Sequence, residues 1–484
     1  MGTLLIAFCA LASADVHEVG TPEELGAALE AAAAGDGIVI ADGEWMDATI
    51  AVGCSGTARD PIVIRPRTPG GLTLTGLSTI RVGGSNVVVS GIQMRGGARE
   101  APADGVDRAR TSSPVDLQGD YCRLTGCAIV DYNPATREER YQWVTVRGVG
   151  NRVDHCYFRG QDHSGVTVVV NVERGRPNDA LIDHNHFAGR PVLGENGGET
   201  IRIGTSNVSV YDSRTVVEQN LFEHCDGEGE IVSNKSCANV YRRNTFVECA
   251  GELTLRHGDR CVVESNVFIC NDYPGSRGVR IVGRDHRIVG NYVYDPDRYG
   301  VALQPGIADT PLSGYVQVER ALIAHNTVVA PHGECVRLVS EENPEMLPAV
   351  NSIFANNILL APERPVLIRA PNPDDFEWHA NLAWGGELGI PEREGVTWED
   401  PQLVLCDDGL MRPTPESPAI NAAAGAYDYD HPSDLSWRLA NYALDIDGQP
   451  LDEAPDIGCD ELSDAPSIYR PLTAADVGPE WMVR

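Results

Sequence analysis

Lysine is almost absent from this 484-residue chain: Lys235 stands alone against 37 arginines. A coding bias towards arginine accounts for the 37, but not for where the one lysine sits. Aromatic residues make up only 6% of the chain, and fifty glycines lie among short Val/Ile/Leu runs. That pairing argues against a helical protein and for many short strands. Positive charge is scarce overall, and a formal net charge of −32 excludes a broadly basic surface for nucleic acid. An anionic partner therefore needs cations gathered in one cleft, and nine of the 37 arginines do fall between Arg242 and Arg298. Past the N-terminus no apolar run is long enough to span a membrane.

The N-terminus carries a short apolar stretch, Leu4 to Ala14, ending in Ala-x-Ala before Asp15. We read residues 1–14 as a signal peptide of a secreted or periplasmic protein. The charged leader region is missing, and a buried first strand is the competing reading. Cys9 follows Phe8, a poor context for lipid attachment, so release is expected over anchoring. Twelve of the 13 cysteines remain after that cut. Cys225, Cys249 and Cys270 recur at matching points of a repeat, as do Cys237 and Cys261, 24 residues apart. Small residues stacked in register give that pattern without any bond, and adjacent coils would also let some pairs oxidise. Both readings stand at this point.

The repeat is apolar-x-x-Asn-x-apolar, with its asparagines at 185, 220, 244, 266, 291, 326 and 357, spaced by 22 to 35 residues. Weaker copies at Ile92, Cys127 and Cys156 extend it upstream. Strand-like content repeating at such a period, with insertions of variable length, predicts an all-β fold: a single-domain, right-handed parallel β-helix. The asparagines would form an internal ladder at a turn, their amides bonding from coil to coil. Thr21-Pro22-Glu23-Glu24 reads as a helix start, continuing from Leu25 to Ala34 with a stop at Gly35, and this helix would plug the first coil. The β-helix is expected over residues 15–375, and an irregular tail over 376–484 that packs on it or caps its far end.

Three segments on successive coils carry charge that a plain strand does not need: Asn196 to Gly204, Glu228 to Ser236, and Gly251 to Gly258. Aligning Glu230 with Glu252 sets the last two one 22-residue coil apart. Strand alternation puts Glu228 and Glu230 on one face with Glu252, Thr254 and Arg256, while Leu253 and Leu255 face the core. Continued alternation would bury Lys235, so the strand is expected to end near Ser233, with a turn bringing the lysine outward. Adjacent carboxylates repel unless a cation lies between them, and calcium takes oxygen ligands such as Glu228, Glu230 and Asn196. A solvated acidic strand is the plain alternative for any lone Glu-x-Glu. A metal, a tunable amine and a fixed cation at one spot suit removal of a proton next to a carboxylate.

Asn-Gly-x-Glu-Thr-x-Arg-x-Gly, the Glu-x-Glu-x-x-x-x-Lys run and the Arg-His pair 21 residues past the lysine resemble polysaccharide lyase family 6, which contains alginate lyases and chondroitinase B. The resemblance runs from about Val19 to Leu360, and Ser417 to Ile420 and Asp445 to Gly448 in the tail are similar too. It implies that Asn196, Glu228 and Glu230 bind calcium, that Lys235 is the general base and Arg256 the general acid, and that Arg202 and His257 meet substrate, His257 binding sugar hydroxyls or else supporting Arg256. It implies β-elimination on an anionic polysaccharide, alginate before dermatan or chondroitin sulfate, leaving an unsaturated 4-deoxy uronic acid at the non-reducing end. No nucleic acid, no membrane span and a monomer or small homo-oligomer complete the expectation. A hydrolase would need two carboxylic acids in distinct roles and no lysine. The histidine signature expected of a C5-epimerase is matched only distantly by Ala330-Pro331-His332-Gly333. A non-catalytic carbohydrate-binding β-helix is opposed only by the completeness of the constellation.

Overall fold

Short strands separated by single left-handed residues can close only by turning corners, and they do so throughout the computed structural model, which describes residues 14–99, 113–338, 346–424 and 443–482. The signal segment lies outside these residues but for Ala14. Each coil gives a strand to each of three parallel sheets. One fourteen-stranded sheet runs from Val16–Val19 to Phe376–His379, a second from Gly43–Met46 to Val396–Trp398, and a twelve-stranded sheet from Thr49–Val52 to Ile368–Arg369. The architecture is a right-handed parallel β-helix, with one short α-helix near the N-terminus among the described residues.

The repeat straddles the corner between the two fourteen-stranded sheets. In the coil of Asn266, the strand Val262–Glu264 ends, Ser265 takes φ 51°, and Asn266 leads into Val267–Ile269. Each asparagine Nδ2 donates to the Oδ1 of the next asparagine, at 2.8–3.0 Å, from Asn185 through Asn220, Asn244, Asn266, Asn291, Asn326 and Asn357 to Asn381. The same Oδ1 also accepts the preceding asparagine's backbone N–H, and the second Nδ2 hydrogen goes to a carbonyl of the coil before. These fully buried amides are therefore satisfied without water. Beside the ladder, Phe158, Phe187, Phe222, Phe246 and Phe268 stack at centroid spacings of 4.5–5.1 Å. All twelve described cysteines are free thiols, and Cys249 Sγ accepts the Cys225 N–H at 3.4 Å, so this pair stacks from coil to coil without a bond.

Two boundaries differ from expectation. The capping helix spans Pro22–Ala31, ending three residues before Ala34, because Ala32 turns extended and the Asp36 carboxylate takes the Ala33 N–H. Its start is as read: Thr21 Oγ1 accepts from Glu24 N–H at 3.2 Å, and Leu25, Ala28 and Leu29 are buried. At the other end, coils continue past residue 375 to Val396–Trp398, because Trp378 stacks on Phe354 and Asn381 prolongs the ladder. The tail then runs back along the outside: Cys459 N–H donates to Thr327 Oγ1, Leu472 N–H to Thr245 Oγ1, Gly478 N–H to the His184 carbonyl, and Trp481 Nε1 to the Gly126 carbonyl.

Asn244→Ala strips partners from Asn220 and from the Val217 carbonyl, each loss costing roughly 1–3 kcal/mol. Its thermal midpoint should fall by several degrees, whereas Asn207→Ala at an exposed position should leave it unchanged; equal midpoints would remove the ladder from the account of stability.

Candidate active site

The twelve-stranded sheet carries the three charged segments on adjacent strands, Ile201–Gly204, Glu230–Lys235 and Glu252–His257, followed by Val279–Ile281. Register pairs Glu230 with Glu252 as predicted, and Leu253 and Leu255 are fully buried. The strand does not end near Ser233. It continues to Lys235, and a bulge at Ile231 puts Val232 opposite Leu253, so Ile231 and Val232 are both buried and the alternation changes phase. Beyond the bulge Ser233 and Lys235 share the outer face. A second irregularity sets Lys235 against His257, with Arg256 as the extra residue of its strand.

Lys235 Nζ lies 3.6 Å from Glu199 Oε1 and 4.0 Å from Glu230 Oε2, and its side chain is 15% exposed. Glu199 is fully buried and also meets Arg202 at 3.5 Å. Arg202 therefore faces the cleft but is engaged from within it. Glu230 joins the two coils: it accepts from Ser233 Oγ at 2.5 Å and Arg280 Nη2 at 2.7 Å, and lies 3.7 Å from Arg256 Nε. Glu252 is buried beside Arg277, Arg280 and the Tyr299 hydroxyl. Thus carboxylates and cations alternate across four coils.

Arg256 is clamped from the far side. Its guanidinium stacks on Tyr315 at 4.0 Å, Nη1 donates to the Gly314 carbonyl and Nη2 to the Ser313 carbonyl. His257 is 3% exposed, with Nδ1 at 3.3 Å from Arg256 Nη1 and Nε2 at 3.1 Å from Ser206 Oγ. Burial, helped by Arg256 and Lys235, pushes this imidazole down to about 3. It is therefore neutral near pH 7, accepts from Arg256 through Nδ1, and acts as that residue's support.

Asn196, Glu228 and Glu230 line one hollow of about 470 Å³ together with Glu252, Arg277 and Arg280. Gly197, at φ 109°, turns its own N–H and that of Gly198 onto Glu228 Oε2, at 2.7 and 3.1 Å. A Cβ at Gly198 would meet the Gly227 backbone at 2.4 Å, which explains the paired glycines. Burial first, then the charges of Glu199 and Glu230, raise Glu228 to about 7 despite those two N–H groups. It is a carboxylate short of positive charge. Among the described residues no three His, Cys, Asp or Glu side chains converge to hold a metal by themselves. A cation here would need the Asn196 amide oxygen alongside Glu228 and Glu230, an all-oxygen set suited to a hard ion.

Arg277, Arg280, Glu199, Ser206, Tyr299 and Tyr315 were not among the residues expected from sequence. Arg280 had a signal: it falls in the arginine-rich stretch and pairs in register with Thr254. Tyr315 had none, since it comes from an insertion that carries no repeat.

A family profile described as Chondroitinase B matches residues 19–396. Among solved structures, the alginate lyase AlyGC of polysaccharide lyase family 6 is 29% identical with a TM-score of 0.80, and the match covers 97% of this chain and 59% of AlyGC. This chain thus spans less than two thirds of that relative's length. A mannuronic-acid-specific family 6 lyase from human gut microbiota is 30% identical, TM-score 0.71, over 80% of this chain and 91% of that one. A family 6 lyase from Pseudopedobacter saltans, 24% identical with TM-score 0.69 over 96% and 99%, shares the fold. No curated protein matches.

Because Lys235 is the only lysine, acylation of its amine is resolved by peptide mass with no other lysine competing. Glu199→Gln removes one tether of the ammonium group, and Lys235 should then react several-fold faster with an acetylating reagent at neutral pH. An unchanged rate would show that Glu199 does not hold it.

Proposed function

The chain belongs to polysaccharide lyase family 6, the chondroitinase B family, and from that premise we propose that it is a calcium-assisted alginate lyase of the secreted or periplasmic compartment. The observation that carries the reading is that Lys235 and Arg256, on neighbouring coils, both lie within 4.0 Å of Glu230 on the outer face of one sheet. A base and a leaving-group partner are thereby held at a fixed separation. The alginate preference follows AlyGC and the gut enzyme, which are described as acting on alginate and mannuronic acid.

In this mechanism a uronate unit lies along the cleft with its C5 hydrogen towards Lys235. Lys235, as the neutral amine, takes the C5 proton; the electron pair left behind forms the C4=C5 double bond, and the C4–O glycosidic bond breaks. A guanidinium is a poor proton donor, so Arg256 stabilises the departing oxygen by hydrogen bonding while water supplies the proton. With Nη1 held by Gly314 and His257 and one Nη2 hydrogen by Ser313, the second Nη2 hydrogen and the Nε–H, 3.7 Å from Glu230, are left without a hydrogen bond among the described residues. Calcium on Asn196, Glu228 and Glu230 would neutralise the substrate carboxylate and acidify C5. Glu228, raised to about 7 by burial and neighbouring charge, supports that assignment.

Incubation with alginate and calcium should give products with ultraviolet-absorbing unsaturated ends. New reducing ends without that absorbance would indicate a hydrolase, intact polymer would leave epimerisation or binding alone, and unsaturated ends from dermatan sulfate only would move the substrate to the sulfated class. Exhaustive chelation should lower the rate by roughly a hundredfold, as expected when a Lewis acid is lost, with recovery on added calcium. Undiminished turnover after chelation would remove Asn196, Glu228 and Glu230 from the metal role.

A further inference from the structure

A cavity of about 290 Å³ lies away from the cleft, between the returning tail and the asparagine corner. Arg243, the left-handed residue before Asn244, lines it and stacks its guanidinium on Tyr469 at 3.9 Å. The other charged groups around the cavity are paired: Asp476 with Arg470 at 2.5 Å, Asp447 with Arg412 at 3.0 Å, and His184 with Asp183 at 2.8 Å. The neighbouring Arg242 takes Glu218 at 2.6 Å and lies 3.7 Å from Glu264. Only the Arg243 guanidinium, among these, has neither ion pair nor hydrogen bond with the described residues, its backbone N–H going to the Glu264 carbonyl. In a chain of net charge −32 a half-buried guanidinium with no directly bonded carboxylate is unusual; Glu264 and Glu218 act on it only at longer range, and burial draws it below the ordinary arginine range.

We propose that this cavity is a second, non-catalytic binding site for a sugar acid, with Arg243 as the partner of its carboxylate. The planar guanidinium suits a carboxylate, which it can meet with two parallel N–H donors. One free cation beside Asp447 and Asp476 favours a single negative charge over a phosphate dianion. The volume is at the lower end of small-molecule pockets, roughly 300–1,000 Å³, which admits one sugar ring. Gln219 and His184 add polar groups for hydroxyls. The carboxylate class stands on Arg243 itself; its being a uronate rests on the lyase reading. Such a site would hold a product or a second stretch of polymer on a face other than that of Lys235.

The test is a calorimetric titration of the full-length protein with sodium glucuronate, alongside glucose and sodium acetate. Saturable binding of glucuronate, weaker binding of acetate and none of glucose are expected. Arg243→Gln should weaken glucuronate binding by at least roughly tenfold, the loss of one charge-assisted pair, and Arg243→Lys, which keeps the charge, by less. Arg256→Ala in the cleft should leave it intact. Absence of glucuronate binding, equal binding of glucose, or binding indifferent to both Arg243 variants would overturn the proposal. Alginate cleavage by Arg243→Gln should stay within about twofold of the unmodified protein, as for a site outside the reacting groups; a larger loss in a folded variant would overturn the non-catalytic assignment. If the unmodified protein cleaves no uronate polymer, the lyase reading fails, while carboxylate binding at Arg243 is still decided by the titration.

Discussion

Every distance in the cleft depends on coil-to-coil register, and the buried asparagine ladder sets that register. Each amide oxygen accepts twice from the coil before it, and each amide nitrogen reaches both the next asparagine and a carbonyl behind. A slip of one residue would break those bonds along the stack and exchange outward for inward side chains. The ladder thus does at one corner what the cleft needs on another face: it holds Lys235, Arg256 and Glu230 together although they come from different coils. The bulge at Ile231 is the local exception that makes the site, since regular alternation would send Lys235 into the core.

On that scaffold the cleft concentrates cations in an otherwise acidic molecule. Lys235, Arg202, Arg256, Arg277 and Arg280 are each opposed by a carboxylate, so none is a bare surface charge. Buried carboxylates keep the cations in place, Glu199 beside Lys235 and Arg202 and Glu252 beside Arg277 and Arg280. A metal ion held by Glu228 and Glu230, as proposed, would engage the same Glu230 carboxylate that lies beside Lys235. The proposed metal site and the proposed base would then share one carboxylate, Glu230.

Much of this was legible in the sequence, because a solenoid repeats its constraints. Asn185 to Asn357 announced the coil period, and the 22-residue step from Glu230 to Glu252 placed two of the three site segments correctly. Features without periodicity were not legible. The bulge depends on one apolar residue, Ile231, that differs in no way from its neighbours in composition. Tyr315 and the Ser313–Gly314 carbonyls reach Arg256 from an insertion. The last coils, with Trp378 and Asn381, sit among prolines and acids that read as irregular tail. Cysteine spacing was compatible with either stacking or bonding, and only the packed geometry separates them.

On the proposed mechanism Lys235 matters for the proton its amine can accept, not for its charge. Arginine keeps the charge and cannot take that role near neutral pH. The rate of Lys235→Arg on alginate, measured with thermal unfolding as a check on folding, tests this most directly. The predicted result is a folded protein slowed by roughly 10²–10⁴-fold, the range for loss of a general base. A folded variant that turns over at near the normal rate would contradict it.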